Sequence, residues 1–511
     1  MDGFFVPAGK PASIRKGLPH MTLADERLKE LDNLSLTTDE RAVIRCRVAA
    51  DLIHAGQYEA ARESLGGLWR GEGERPNVEG LGESTAAEVL LQAGALSGWL
   101  GKVKGAQDAA KDLISESATL FERLGESNRA LAARSDLALC YWREGAYNEA
   151  RAILESASAQ IKDDATLKAK TLLRLAIVEH WAGRYSDALR LLTDSAPLFQ
   201  EGASHHLRGS FHNELALVLR RLGTAEKRQD YLDRAIIEYT AAAYHFELAR
   251  HERYVGRIEN NLAFLLYKLG RHADAHEHLD RAQMIFTRLR DAGSLAQVDE
   301  TRARVLVAEK KYMEADRTLA AVLKTLERGD ESALLADAFT LQGVVWARLR
   351  GYESSINILR RAADVAEGVG ALAKAGQAVL SLIEEHGASG RLTPAEVYDA
   401  YLRANGLLKD TQDAEDLDRL RACSLIVMRR LSDPSIYEKN FSLYGAVQEF
   451  EAKLIRQALE AAGGSVTKAA RILGLPHQTL STMLNTRHKA LLGKRKPARR
   501  RLKSIIKEPK E

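Results

Sequence analysis

Between Pro476 and Thr486, the polar residues His477, Gln478, Ser481, Thr482 and Asn485 recur at spacings of one, three, one and three, with Leu480 and Leu484 among them. On a helix this spacing puts the amides, hydroxyls and imidazole on one side and the leucines on the other. Each polar member carries a donor, an acceptor or both, which is what reading base edges in a DNA major groove requires. Gln478 or Asn485 can bond an adenine through two hydrogen bonds, worth roughly 1–3 kcal/mol of discrimination. Nearby, Lys468, Arg471, Arg487, His488 and Lys489 suit phosphates, contacts that position without specifying. The stretch GKRKPARRRLKSIIK (493–507) adds Lys494, Arg495, Lys496, Arg499, Arg500 and Arg501. It can lie in the minor groove, follow the backbone, or remain a solvated tail.

The distribution of charge agrees. Residues 461–511 hold thirteen Lys and Arg against Glu508 and Glu511, about +11, whereas the whole chain is only +4, leaving about −7 for residues 1–460. No acidic residue lies between Glu460 and Glu508. A mildly acidic body with a strongly basic end is the footprint of a nucleic-acid contact confined to that end.

Other reactive groups are sparse. Cys46, Cys140 and Cys423 are far apart and form no CxxC pair, so free thiols in a reducing compartment are expected. His272 and His276 have the i, i+4 spacing of metal ligands, with His278 beside them, but no carboxylate completes a pattern such as HExxH. His205, His206 and His212 form no better set. No metal or cofactor is expected. The chain has no GxSxG, no Gly-rich phosphate loop and no paired nucleophile and base, so it is not expected to be an enzyme. No apolar run approaches the ~20 residues of a membrane span, and Phe4-Phe5-Val6 is too short for a signal segment. A cytoplasmic protein without a membrane partner is the expectation.

The elements that must position these residues are helical. Apolar residues make up 45% of the 511, aromatics 6%, and only 10 are proline, a balance favouring helix over sheet. The length exceeds what one core fills, and a repeat of about forty residues accounts for it. LALCYWREGAYNEARAILESA (137–157), LAIVEHWAGRYSDALRLLTDS (175–195), LAFLLYKLGRHADAHEHLDRA (262–282) and VAADLIHAGQYEAARESLGGL (48–68) align. Each runs from an apolar-small pair to a Gly, then a Tyr or His two later, an Ala three on and a Leu four after that. Two further copies replace the Gly by Lys310 and Arg350 while keeping Tyr312 and Tyr352. A seventh is built around Leu215, Gly223, Ala235 and Tyr239, with an insertion, and a weaker eighth lies near Gly101 and Leu113. The Gly belongs where a first helix ends, and the Ala where a second helix approaches it. Such hairpins bury their apolar faces only by stacking.

Downstream, GASGRLTP (387–394) is a turn, with Thr393 capping a helix from Pro394 and Glu396 in its first turn. Another helix runs from about Asp413 to Leu431, stopping at Ser432-Asp433-Pro434, and 434–446 is a short connection. A helix over about 446–462 has Val447, Phe450, Leu454, Ile455, Ala458 and Leu459 on one face and ends at Gly463-Gly464. Ser465 or Thr467 caps the next helix, Ala469 and Ala470 sit at a crossing, Gly474 turns the chain and Leu475 plugs the angle. The spacing predicts the recognition helix over 476–486, from Pro476. These are the parts of a helix-turn-helix. The expected divisions are an N-terminal extension (1–38), repeats (39–386), terminal helices (387–433), the helix-turn-helix (434–492) and a basic tail (493–511).

The repeats, over roughly residues 40–385, resemble the tetratricopeptide family. The resemblance implies an all-α solenoid whose first helices line a concave groove. Projected onto this sequence, that places Asn213, Arg220, Arg257, Asn260, Tyr267, Lys268 and Arg304 in the groove. Asn can clamp an extended backbone and Arg or Lys can take a carboxylate, which fits a peptide or acidic protein segment. A solvated groove, or one filled by another part of the chain, is the competing expectation. Leu454-Ile455, Ala458-Leu459, Gly463-Gly464, Val466, Ala469-Ala470, Leu473-Gly474-Leu475, Thr479-Leu480 and Leu484 resemble the Fis-type helix-turn-helix of bacterial regulators. That resemblance implies bacterial origin, double-stranded DNA as partner, and often dimerisation through the first helix. One small module gives little affinity alone, so a homodimer is expected, with the first helix or the solenoid as its interface. The chain departs from that pattern at His477, Gln478, Ser481 and Thr482, so no target sequence carries over, and no GxxxxGK[ST] supplies the usual ATPase. The combination looks like a tetratricopeptide transcriptional regulator working on the nucleoid; a protein scaffold tethered to DNA is the alternative.

Overall fold

The computed structural model describes Leu31 and residues 35–54, 57–71, 73–100, 106–200, 202–329, 332–411, 413–432 and 442–494. Twenty-two α-helices and no strand occur among them. They pair as hairpins: α1 (Thr38–His54) with α2 (Tyr58–Leu65), α3 (Glu83–Leu100) with α4 (Ala106–Arg123), and α5 (Ser127–Arg143) with α6 (Tyr147–Gln160). Next come α7 (Ala165–Trp181) with α8 (Tyr185–Ser195), α9 (His205–Ala225) with α10 (Gln229–Leu248), and α11 (Glu252–Lys268) with α12 (His272–Leu289). The series continues with α13 (Ala292–Ala308) paired with α14 (Tyr312–Leu326); α15 (Ser332–Arg348) and α16 (Tyr352–Gly368) follow in sequence. Gly101 of the eighth repeat lies outside the described residues.

The repeat pattern explains each hairpin. The recurring Tyr or His slot is the first residue of α2, α6, α8, α12, α14 and α16. Three residues on, Ala61, Ala150, Ala188, Ala275, Ala315 and Ser355 are wholly buried, as are the leucines four further, such as Leu154, Leu192, Leu279 and Leu319. A small side chain there lets the paired helices close, and each buried Leu contributes roughly 1.5–3 kcal/mol. Gly145, Gly183 and Gly270 turn the chain with φ of 79°, 77° and 74°, which glycine adopts without steric cost. Lys310 and Arg350 keep the same left-handed turn, at φ 61° and 65°. Packing therefore outweighs a backbone penalty of about 1–2 kcal/mol at each.

The seventh repeat departs from expectation. Gly223 does not end its helix; it lies inside α9, where a Cβ would stand 2.7 Å from Leu232 Cδ2. The insertion lengthens α9, and the turn falls on Lys227 at φ 55°. Successive first helices touch directly, α1 with α3, α3 with α5, α5 with α7, α7 with α9, α11 with α13 and α13 with α15, whereas second helices make no comparable contacts. The first helices thus share one face.

The described residues fall into two compact units: those up to Ser355 joined by Thr411–Leu417, and Ile356–Asp410 joined by those from Asp418 onward. Ile383–Gly387 is a π-helical turn running on from α17 (Leu372–Leu382), and His386 is wholly buried there. Thr393 does cap α18 (Pro394–Leu407), with Glu396 closing a reciprocal capping box. After it comes α19 (Ala414–Ser432). The second unit also holds α20 (Leu443–Ala461), α21 (Val466–Ile472) and α22 (His477–Thr486). Most of the connection expected over 434–446 lies outside the described residues, and its last four belong to α20. No described helix is long and apolar enough to cross a membrane.

Candidate functional site

The terminal module is assembled by local signals. Ser442 caps α20 by accepting from Gly445 N at 3.2 Å, and Ser465 caps α21 by accepting from Lys468 N at 3.4 Å. Between them Gly464 N donates to Leu459 O at 2.8 Å, closing the end of α20. Gly474, at φ 66°, makes the turn into α22, and Leu475 N donates back to Ala470 O at 2.8 Å. The core joins Ile455, Ala458 and Leu459 of α20, Ala469 and Ala470 of α21, and Leu480 and Leu484 of α22. Leu491, in the 3-10 turn Lys489–Lys494, seals it. Leu475 is only half-buried, so Leu491 and Leu473 do more of the packing than the expected plug.

That core turns one face of α22 outward. His477, Gln478, Thr482 and Asn485 are exposed and Ser481 is half-buried, as the spacing predicts. Lys468, Arg471 and Lys489 are exposed and have no ion pair among the described residues. Two expected phosphate ligands behave differently. His488 turns inward, its side chain 3% exposed, with Nε2 3.0 Å from Glu451 Oε2. It braces the module instead of facing phosphate, because the 3-10 turn that buries Leu491 carries it onto α20. Arg487 stays exposed, 3.5 Å from the same carboxylate. Lys494 ends the described chain, its side chain undescribed, and Arg495, Lys496, Arg499, Arg500 and Arg501 lie outside the described residues.

The apolar face of α20 also differs from expectation. Only its C-terminal half packs, while Leu443, Tyr444, Val447, Phe450 and Leu454 remain 39–71% exposed. The helix extends about two turns beyond its short partners, so those side chains have nothing within the module to cover them.

In the repeats, the expected groove residues all lie on first helices: Asn213 and Arg220 on α9, Arg257, Asn260, Tyr267 and Lys268 on α11, Arg304 on α13. Asn213 and Asn260 are each the ninth residue of their helix, and the Oδ1 of each is buried without a hydrogen-bond partner. Exposed Arg257 and half-buried Asn260 line a cavity of about 80 Å³ with Ser294 and Gln297. The Arg220 guanidinium lies 5.4 Å over the Phe264 ring, tying α9 to α11.

Three members are already engaged. Arg304 Nε donates to the buried Glu300 at 2.6 Å, so its charge is answered within its own helix. Tyr267 is half-buried, ring to ring with Phe264 at 5.8 Å and His272 at 6.4 Å, and serves packing. Lys268 Nζ donates to both oxygens of Glu415 at 2.9 and 3.0 Å. Beside it, Arg221 Nη1 donates to Asp413 Oδ2 at 2.8 Å. Sequence reasoning missed Arg221, Asp413 and Glu415; the only signal was the cluster of acidic residues at the start of α19, Asp413, Glu415 and Asp416.

His276, His278 and His212 each lie within hydrogen-bonding distance of a carboxylate. His276 Nε2 is 3.2 Å from Glu309 and His278 Nδ1 is 2.6 Å from Glu259, so the two serve different carboxylates. Burial opposes ionisation of Glu259, yet His278 and Arg281 hold its carboxyl below the ordinary value. His212 Nδ1 meets Glu238 at 2.7 Å, and His205 stacks on His245.

With this geometry in view, residues 446–482 match the family described as "Bacterial regulatory protein, Fis family". The chain therefore carries a Fis-type helix-turn-helix, a DNA-binding module, behind tetratricopeptide-like helical hairpins. Among curated protein sequences there is no significant match. Similar solved structures include a Rap protein complexed with Competence and Sporulation Factor, 17% identical, covering 72% of this chain and 100% of that one at a TM-score of 0.45. Aspartyl phosphate phosphatase F from Bacillus subtilis is 12% identical over 75% and 97%, TM-score 0.47. The apo quorum sensor NprR from B. thuringiensis is 14% identical over 66% and 91%, TM-score 0.46. At such scores none of these transfers a function.

Proposed function

We propose that this protein is a sequence-specific, DNA-binding transcriptional regulator, with no catalytic role, acting in the cytoplasm on the nucleoid. The outward polar row of α22 on a packed three-helix module carries the reading: four of its five side chains are exposed while Leu480 and Leu484 anchor the helix from behind. Lys468, Arg471 and Lys489 supply phosphate contacts on either side. The protein binds as a homodimer, since one small module gives too little affinity for a single operator half-site. Leu443, Val447, Phe450 and Leu454 have the four-three-four spacing of a two-helix seam, which supports α20 as the dimer contact. The first-helix face of the repeats docks a peptide or protein segment that adjusts DNA binding.

Selection of bound sequences from random DNA by the full-length chain tests the reading. A defined, near-palindromic motif is expected, and Gln478→Ala should relax it at one symmetric position by about 1–3 kcal/mol. Recovery of unenriched DNA, or an unchanged motif after both Gln478→Ala and Asn485→Ala, would remove the regulator reading.

A further inference from the structure

We propose that Arg221 and Lys268 form a binding site for an acidic peptide segment, and that the chain carries its own occupant for it, Asp413–Glu415. The inference rests on the repeat face being a docking surface and names the chemistry of the partner. The two cations come from adjacent first helices, α9 and α11. The two carboxylates come from residues two apart in sequence, at 192 and 147 positions' separation from their partners. The described residues of Thr411–Leu417 cluster with the repeats, although the residues immediately before and after the segment belong to the other unit.

The occupant is built for the place. Asp413 divides its oxygens: Oδ1 accepts from Glu415 N at 2.9 Å, starting α19, and Oδ2 faces Arg221. Lys268 stands 5.9 Å from the rings of both Phe264 and Tyr267, an aromatic floor that favours a cation there. Asp416, next in the segment, is itself buried. Both ion pairs are nonetheless half-open, with side chains 42% and 30% exposed in one and 39% and 51% in the other. Pairs of that exposure hold a segment by only about tenfold together. An outside segment offering Asp or Glu at i and i+2 can therefore exchange with it. A weakly held internal copy sets a threshold: partners poorer than the resident segment stay out.

The test uses the full-length chain and a fluorescent peptide of its own sequence 409–420, read by anisotropy. The Asp413→Asn, Glu415→Gln double variant, which vacates the site, should bind this peptide about tenfold more tightly than the unaltered chain. Adding Arg221→Gln and Lys268→Gln to that variant should abolish the gain. Hydrogen exchange at 411–417, read without peptide, should rise when Arg221→Gln and Lys268→Gln are made alone. Equal peptide affinity of the vacated and unaltered chains, with exchange unmoved by loss of the cations, overturns the self-occupied site and leaves docking elsewhere on the face intact. Faster exchange with no peptide binding by any variant overturns the acidic-partner class and leaves the docking half of the proposed function, which names no chemistry, standing. Neither outcome bears on DNA selection by α22.

Discussion

The two cationic surfaces of this protein are finished to different degrees. On the repeat face, Lys268 and Arg304 already have carboxylate partners from the chain itself, and Arg221 has Asp413. On the terminal module, Lys468, Arg471 and Lys489 stand exposed, and the polar row of α22 meets solvent. A surface whose charges are answered internally can take a partner only by exchange, so its affinity is a difference between two similar contacts. A surface left open binds with the whole of its electrostatic gain, and so with a steep dependence on salt. Under the proposed function, DNA attraction would be constant and the repeat face would discriminate.

The largest expected effect attacks the open surface through its support. Leu484→Ala empties a fully buried position and should cost about 2–5 kcal/mol, enough to unfold so small a module. The expected record is loss of sequence preference in DNA binding while the repeats keep their thermal transition. Retained preference would mean that α22 is not held as described, and the contrast between the surfaces would fall.

A smaller effect belongs to the repeat interior. Glu259→Gln weakens the buried contact with His278 and Arg281 and should destabilise the repeats by about 1–3 kcal/mol at neutral pH. Because the folded carboxyl sits below its ordinary value of 4.5, this stabilisation is fully present above that value and lost as pH falls through the lower folded one. Denaturant titrations of both proteins should therefore converge in acid and stay apart from pH 6 upward, with DNA selection unchanged. Convergence on the alkaline side instead would reverse the assigned electrostatics.

Two slighter effects sharpen the distinction between exposed and inward residues. Lys468→Ala should lower the salt slope of DNA binding by about one, whereas His488→Gln, altering a group turned toward Glu451, should leave it unmoved. A slope that falls for His488→Gln would return that residue to the phosphate contacts. Burial pushes the Cys140 thiol up to about 11, so it should resist alkylation at pH 8 in the folded chain and react on denaturation. The terminal module contains no cysteine, which makes this label a reading of the other regions alone.

Much of this was legible in the residues, and the exceptions share a cause. The six Tyr or His slots mark helix starts because a turn and a helical period are both local. Lys310 and Arg350 showed that the pattern survives without glycine, but only the packed hairpins explain why the strained turn persists. At Gly223 the same logic failed, since a glycine admitting a neighbouring leucine and a glycine ending a helix look alike in a sequence. His488 turns inward to Glu451, 37 positions away, a carboxylate that nothing near it in the chain announces.

The order of helices, the caps, the buried Ala–Leu ladder and the polar row of α22 were therefore determined by the sequence alone, through interactions spanning a few residues. Which cations remain open was decided only by the tertiary structure. Charge pairing depends on groups brought together across 147 and 192 positions, and helical periodicity carries no information over such distances.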